Sequence, residues 1–226
     1  MRILLLLLAL AASGCDVSGR VEAEIVSALP KALGPADHYD ATVDGLQLSA
    51  RTAERVTITG DRVAREDAPV VDRLDVTLWG VAFDQKTRVL TRVDSARATA
   101  RLLPADLATY LGTQRGISRA AVTLAAPDRA TVRVEGAIEG FRLPVGAEIR
   151  GQLVAADGAV RLDVESVRAA GIGLGGSLAR AVGDRINPVA DLRDEDLALT
   201  VTDVRVERGA VVVEATGDLQ GVRLRR

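Results

Sequence analysis

The sequence is short of the side chains from which most catalytic and metal sites are built. It has one cysteine, Cys15, and one histidine, His38, among 226 residues. A single cysteine excludes an intrachain disulfide, and these two residues cannot form a metal site of the Cys/His kind. A nucleophile activated by histidine would have to use His38, which lies in a Pro-Ala-Asp-His-Tyr-Asp stretch typical of a connecting segment. We therefore predict a surface histidine and a protein that is not an enzyme and has no metal or cofactor.

Aromatic residues are scarce as well, at 2% of the chain, whereas hydrophobic residues make up 48%. The core must then consist of valine, leucine, isoleucine and alanine, and it is large enough for one sizeable domain. The formal net charge of −2 disfavours a nucleic-acid partner, because such surfaces depend on an excess of positive charge. Carboxylates are plentiful, but they are predicted on solvent-facing strand positions, and no two of them must converge on one site.

The first sixteen residues predict export. Arg2 is followed by an apolar run at 3–12 and then by small residues that lead to Cys15. As a helix the apolar run spans about 15 Å, half of a hydrocarbon core, which indicates an export signal rather than a membrane span. The stretch resembles the bacterial lipoprotein signal, which is cut before a cysteine that receives a diacylglyceryl thioether. Ala12 stands where that pattern prefers leucine, and the alternative interpretation is an ordinary secretory signal.

The lipoprotein signal implies a signal peptide at 1–14 and a mature chain at 15–226, which we predict to be a single domain. The mature chain would then be lipid-anchored through Cys15 in the cell envelope. Either the periplasm or the outer face of a bacterial membrane fits this signal, and the sequence does not choose between inner and outer membrane.

Most of the mature chain alternates apolar and polar residues with the two-residue period of half-buried strands. The clearest stretch is 131–167, where three such runs are joined by tight turns, one of them at Asp157-Gly158. The alternation changes phase at Gly80 and again near 94–95, which indicates bulges that bend long strands. These features predict an antiparallel meander within a strongly curved sheet that has a concave side.

Two helices are predicted beside the strands. The first has Ser18 as N-cap, an apolar stripe with three- and four-residue spacing, and an end at Gly34-Pro35, with Pro30 disturbing its last turn. The stripe consists of Val21, Ile25, Ala28, Leu29, Ala32 and Leu33. The second, short helix runs from Pro104 to Gly112. Strands and helices do not alternate, so the predicted class is α+β.

Four segments of the chain resemble one known family. Residues 93–100, 103–111, 142–145 and 199–213, in this order, are similar to the LmeA-like phospholipid-binding proteins of bacterial envelopes. The resemblance covers nearly all of the mature chain, although it includes no catalytic motif. It implies a fold of the tubular-lipid-binding (TULIP) type, in which a long curved antiparallel sheet wraps around the N-terminal amphipathic helix and leaves an apolar groove for acyl chains.

Candidate groove residues are the apolar side chains near the first helix and the predicted bulges. They are Leu46, Leu48, Leu74, Val76, Leu78, Phe83, Phe141, Leu143, Ile172 and Leu174. Each of them also fits a plain core position, because core and groove share the same alternation. The glycine-rich run 171–176 lacks the residues of a phosphate loop, and we interpret it as a lip of the groove, with Arg180 and Arg185 as candidate contacts of a lipid phosphate.

Two functions follow from different interpretations of the apolar face. In the first, a lipid-anchored envelope protein binds a phospholipid or a similar amphiphile, in lipid transport or envelope maintenance. In the second, a β-rich structural or assembly lipoprotein closes its sheet with its own side chains and acts through an unidentified protein partner. They differ in whether the purified protein carries lipid.

Overall fold

In the part of the chain that the computed structural model describes, the fold has thirteen strands, two continuous helices, and further helical residues at 180, 183–184 and 186. The described residues are 16–84, 89–138, 141–156, 158–169, 172–173, 175, 180, 183–184, 186–191 and 199–218. The helices are α1 (Asp16–Leu33) and α2 (Pro104–Thr113). The strands are β1 (His38–Asp44), β2 (Thr52–Val63), β3 (Val71–Asp84), β4 (Val89–Arg92), β5 (Ser95–Leu102), β6 (Ile117–Ala125), β7 (Arg129–Ile138), β8 (Phe141–Ala156), β9 (Ala159–Ala169), β10 (Ile172–Gly173), β11 (Ala190–Asp191), β12 (Thr200–Glu207) and β13 (Ala210–Asp218).

The described strands form two antiparallel sheets. The first has seven strands in the order β1-β2-β3-β5-β13-β12, with β4 paired to β3. The second has six strands in the order β10-β9-β8-β7-β6, with β11 paired to β9, and it contains the predicted meander. A mostly antiparallel α+β fold with a helix at its N-terminal end is therefore confirmed. The single long sheet of the prediction is instead two sheets, and β12 of the first packs against β8 and β9 of the second.

Helix α1 begins earlier than predicted. Ser18 lies inside it, where its hydroxyl is 3.5 Å from a carboxylate oxygen of Glu22, so the predicted N-cap is wrong. Pro30 is accommodated within the helix, which ends as predicted before Gly34. Gly34 has a φ of +107° and a Cβ there would lie 2.1 Å from the carbonyl oxygen of Ala64, so only glycine fits this position. His38 is the exposed first residue of β1 and not part of a connecting segment.

Both predicted phase changes are confirmed. In β3, Leu78 and Val81 are buried on either side of Gly80, which has a φ of +61°. The second change separates β4 from β5, where the backbone N–H of Asp94 donates to the carbonyl of Trp79 at 2.9 Å. A β carbon at position 80 would lie 2.0 Å from the Asp94 carboxylate. The two phase changes are therefore in direct contact, and the contact leaves no space for a side chain at position 80.

The apolar face of the seven-stranded sheet is covered by two different elements. Helix α1 packs on β1 and forms what we call the helix-covered core with β1, β2, β3 and part of β5. The six-stranded sheet and α2 form the closed core with β12, β13 and the other end of β5. Val71 and Leu74 contact both cores, so the two meet above the middle of the sheet. Within the described residues, no helix has the combined length and hydrophobicity required to cross a bilayer.

Candidate functional site

An apolar cavity of about 110 Å³ lies where the two cores meet. Its floor is a patch of two side chains from each of three neighbouring strands. One row consists of Leu74, Ala100 and Val213, which are paired across β3, β5 and β13, and the next consists of Val76, Ala98 and Ala215. The central strand contributes only alanine to the floor. Three of the four neighbouring side chains, Leu74, Val76 and Val213, are larger than alanine. The floor is therefore lowest along β5, and it leaves space that the protein does not fill.

The walls and roof of the cavity come from α1 and from two connecting segments. Leu33 belongs to the last turn of α1, whereas Arg65, Ala68 and Pro69 belong to the loop between β2 and β3. Val63, Val71 and Leu199 complete the lining. Among the described residues that line the cavity, Arg65 alone carries a charge, so the site favours hydrocarbon over any polar ligand.

The cavity has room for part of an acyl chain. An engineered cavity of roughly 150 Å³ holds benzene, so 110 Å³ has room for about four carbon atoms. A longer chain must continue along the sheet beneath α1. From Val21 to Leu33 the apolar stripe of α1 is about 18 Å long, close to the roughly 15 Å thickness of one leaflet of a hydrocarbon core. The interface beneath α1 therefore has about the length of an acyl chain.

The two ends of α1 are attached differently. At its C-terminal end, the Tyr39 hydroxyl donates to the Gly34 carbonyl at 2.8 Å, and the Ala64 N–H donates to the Pro35 carbonyl at 2.8 Å. Burial raises the pKa of Tyr39, so its hydroxyl stays protonated as this donor. Near the N-terminal end, the Glu22 carboxylate accepts a hydrogen bond of 3.0 Å from the Val43 N–H. This contact therefore runs through a side chain of α1, whereas the contacts at the C-terminal end run through backbone carbonyls.

A second, polar pocket of about 270 Å³ adjoins the apolar cavity. It lies between the β2–β3 loop and α2 and shares Arg65, Ala68 and Pro69 with the cavity. Its other lining residues are Asp67, Val70, Asp106, Thr109, Tyr110 and Thr113. The apolar cavity and the polar pocket therefore lie next to each other, on either side of these shared residues of the β2–β3 loop.

One edge of the polar pocket is fixed by a bidentate ion pair. The two terminal nitrogens of Arg62 donate to the two carboxylate oxygens of Asp106 at 2.6 and 2.8 Å. The hydrogen bonds that Arg62 donates to Asp106 raise the pKa of the Arg62 guanidinium above its already high ordinary value. Because Arg62 ends β2 and Asp106 lies in the first turn of α2, the pair holds α2 at a fixed distance from the loop.

The sequence-predicted groove residues are only partly brought together. Leu74 and Val76 line the cavity, and Leu78 is buried one row further along the same strand. Leu46 packs at the margin of the helix-covered core. Three others lie elsewhere: Phe83 is half-buried in β3 near its end, Leu48 is 42% exposed in the β1–β2 turn, and Ile172 is 70% exposed in β10.

The remaining predicted site residues stay predictions. Phe141 and Leu143 belong to β8, but their side chains lie outside what the structure describes. Cys15, Leu174 and Arg185 lie outside the described residues, and Arg180 is an exposed helical residue. The predicted lip at 171–176 is described only at Ile172, Gly173 and Gly175, which are all exposed.

Sequence reasoning missed the residues that create the cavity. Ala98, Ala100, Val213 and Ala215 were assigned to strands, but not to the groove. The alternating alanines of β5 carried a usable signal, because a strand with only small inward side chains leaves space wherever its neighbours are larger. No comparable signal marked Arg65, whose position depends on how the β2–β3 loop folds over the sheet.

An aliphatic cavity beside a polar pocket, on a sheet covered by an amphipathic helix, fits an amphiphile with a hydrocarbon tail and a polar head. Residues 17–216 match the LmeA-like phospholipid-binding family, and the chain belongs to this family. The family supports a phospholipid as the ligand. No curated protein and no solved structure matches the chain.

Proposed function

We propose that the protein binds one phospholipid without chemical conversion, with an acyl chain in the apolar cavity and beneath α1. The observation that carries the proposal is the cavity floor, where three strands meet and the middle one supplies only Ala98 and Ala100. This floor leaves unfilled aliphatic space, and the family supports a phospholipid to occupy it. The wrapped, TULIP-like arrangement of sheet and helix is part of the proposal.

The energetics favour a site that exchanges lipid with membranes. Each buried methylene contributes about 0.8 kcal/mol, so a chain of about sixteen carbons gains on the order of 10 kcal/mol relative to water. The same chain gains about as much in a bilayer, so transfer between protein and membrane is close to balanced. Such a protein can take up and release lipid without an energy source, which suits a role in lipid transport or envelope maintenance.

We further propose that the protein is exported and anchored to a bacterial membrane through a lipidated Cys15, with 1–14 removed. The proposal is supported by the apolar run at 3–12, the small residues before Cys15 and the absence of any other cysteine from the sequence. Mass spectrometry of the N-terminal peptide from the exporting cell tests it. The expected peptide begins with a diacylglyceryl-modified Cys15, and Cys15→Ser should abolish both the modification and the cleavage. An unmodified peptide that begins at another residue would favour the ordinary secretory signal.

The lipid proposal is tested by filling the cavity. Ala98→Leu adds three carbon atoms at the floor, within the space for about four. We expect the fold to be retained and the affinity for phospholipid to fall about a hundredfold, because the lost contacts amount to about four methylenes. Thr99→Leu is the control, since it places the same leucine side chain on the opposite face of the same strand. Native mass spectrometry of the full chain released from mild detergent, followed by organic extraction, gives the occupancy.

Two outcomes distinguish the proposed functions. Co-purified phospholipid near one per chain, lost in Ala98→Leu and kept in Thr99→Leu, supports the lipid site. A lipid-free mass for the unmodified chain, unchanged after incubation with phospholipid vesicles, contradicts it and favours the alternative of a lipoprotein that acts through a protein partner.

A further inference from the structure

The polar pocket has an uneven supply of hydrogen-bond donors and acceptors. We propose that it binds a phospholipid headgroup that itself carries hydrogen-bond donors, an ammonium or hydroxyl groups, while Arg65 contacts the phosphate. The inference rests on the proposed function, because it assumes that the acyl chain occupies the adjoining cavity. It adds the orientation of the lipid and the chemical class of its headgroup.

Arg65 lies where the phosphate of such a lipid has to be. It lines both the apolar cavity and the polar pocket, so it lies at the boundary between hydrocarbon and polar surroundings. In a phospholipid the phosphate is found at the same boundary, between the acyl chains and the terminal headgroup. A guanidinium is well suited to a phosphate, because its planar donors match two phosphate oxygens.

Two threonines of α2 offer acceptors to the pocket. The Thr109 hydroxyl donates to the carbonyl of Ala105 at 2.9 Å, and the Thr113 hydroxyl donates to the carbonyl of Tyr110 at 2.7 Å. A hydroxyl has one proton, so neither can donate a second hydrogen bond to a ligand. Both hydroxyl oxygens can still accept. These side chains therefore suit an ammonium or a hydroxyl better than a phosphate.

The acidic side chains add further acceptors. Each oxygen of Asp106 accepts one hydrogen bond from Arg62, and a carboxylate oxygen has capacity for a second. Asp67, in the β2–β3 loop, contributes another carboxylate to the lining. The charge of Asp106 is balanced by Arg62, so Asp67 and Arg65 leave the described lining close to neutral. The two threonines, Asp67 and Asp106 therefore favour a phosphate that is linked to a donor group over a bare phosphate.

The pocket is also larger than a phosphate needs. A water occupies roughly 30 Å³ in the liquid, so 270 Å³ corresponds to about nine water-sized groups. The pocket therefore has room for a phosphate together with a substituent such as ethanolamine or glycerol. Volume and hydrogen-bonding pattern therefore point to the same class of headgroup.

The experiment compares three phospholipids with identical acyl chains, presented to the full chain in mixed micelles and measured by native mass spectrometry. Phosphatidylethanolamine and phosphatidylglycerol carry donors on the headgroup, whereas phosphatidylcholine carries none. We expect both donor lipids to bind about fivefold more tightly than phosphatidylcholine, as one or two additional hydrogen bonds would give. The two donor lipids also show which kind of donor the pocket prefers, since phosphatidylethanolamine supplies an ammonium and phosphatidylglycerol supplies hydroxyl groups.

Phosphatidylethanolamine and phosphatidylcholine are both zwitterionic, so a difference between them reports the donors and not the net charge. Equal binding of these two lipids would overturn the headgroup assignment and leave the acyl-chain site intact. If none of the three lipids binds, the proposed function itself fails. The two failures are therefore distinguishable in one experiment.

Substitutions in α2 test whether the headgroup preference arises in the polar pocket. Thr109→Val and Thr113→Val together remove both hydroxyl acceptors at nearly constant volume, and we expect them to bring phosphatidylethanolamine binding down to the level of phosphatidylcholine. Thr123→Val, an exposed position on β6, is the matched control and should keep the preference. A preference that survives the double substitution would overturn the assignment of the headgroup to this pocket. Parallel weakening of all three lipids would indicate that the threonines only support the fold, which would also contradict the proposal.

Discussion

The closed core and the helix-covered core use the same aliphatic side chains but are packed to different degrees. In the closed core, Leu102, Leu111, Ile149 and Val211 are 0% exposed. In the helix-covered core, sheet residues such as Val81 and Val93 are also nearly fully buried, at 1% exposed. The difference lies in the covering helix, where Leu29 is the one buried residue among those of α1 that the structure describes and Val21, Ile25, Val26 and Leu33 are only partly buried. A sheet meets another sheet over a broad surface, whereas one helix contacts a sheet along a stripe and leaves both sides of that stripe open. The apolar cavity lies on the loosely covered side, where a ligand can replace protein contacts.

The largest expected difference between the two cores is in the cost of a deleted side chain. Ile149→Ala removes a fully buried side chain from the closed core, and we expect it to lower the free energy of unfolding by about 3–4 kcal/mol. Ile25→Ala removes the same atoms from α1, where burial is partial, and we expect a loss of about 1 kcal/mol. Urea denaturation of both variants provides the comparison.

Ile149→Val serves as the control for the closed core, because it deletes one methyl group and should cost about 1 kcal/mol. Similar losses for Ile149→Ala and Ile25→Ala would contradict the comparison and would mean that α1 is packed as tightly as the second sheet.

The next effect concerns the attachment of α1. Glu22→Ala removes the acceptor of the Val43 N–H and releases the N-terminal part of the helix, at an expected cost of about 1 kcal/mol. We expect faster hydrogen exchange in α1 and faster uptake of phospholipid from vesicles, while exchange in β8 and β9 is unchanged. Hydrogen exchange followed by mass spectrometry measures the first effect, and transfer of a fluorescent phospholipid measures the second.

Glu24→Ala is the matched control, since it removes the same charge from an exposed position of the same helix. Equal acceleration of exchange in β8 and in α1 would show that Glu22 stabilises the whole fold, and the view of α1 as the movable cover would then be wrong.

The sequence was sufficient for the local features that depend on neighbouring residues. Alternation identified the meander of β7, β8 and β9. The predicted stripe of α1 was correct at Val21, Ile25, Leu29 and Leu33, which pack against the core. It was wrong at Ala28 and Ala32, which are exposed, and it omitted Val26, which packs against the core. The phase change at Gly80 was predictable because glycine alone adopts a φ of +61° without strain. In each of these cases the signal and the structure lie within a few residues of each other.

The cavity depends on contacts that the sequence does not reveal. Alternation tells which side of a strand is apolar, but it does not tell which strand lies beside it. Ala98 acquires its place in the cavity floor because β5 lies between β3 and β13, which pairs it with Val76 and Ala215. The division into two sheets was missed for the same reason, because alternation does not show which strands pair. Leu48 and Ile172 were predicted in the groove from alternation alone, and each is exposed because the segment around it lies at the periphery.

The smallest expected effect concerns the outer surface of the closed core. Glu148 of β8 accepts hydrogen bonds from its cross-strand partner Arg133, at 2.9 and 3.0 Å, and from Arg150, at 2.8 Å. These bonds, with Arg133 as the larger cause, lower the pKa of Glu148 below its ordinary value. A lowered pKa in the folded state adds stability above the ordinary glutamate pKa of about 4.3, and this stability is lost as the pH falls through the folded-state pKa.

Glu148→Gln should therefore lower the urea midpoint slightly at pH 7 and should make the midpoint less sensitive to pH below about 4.3. The effect is small because the arginines are largely exposed and solvent screens the charges. Glu54→Gln, an exposed glutamate on β2, controls for the loss of one negative charge. If the two variants had the same acid profile, the ion cluster would not contribute to the closed core, and its stability would come from aliphatic burial alone. The difference between the two cores would then lie wholly in how completely the second sheet and α1 cover the first sheet.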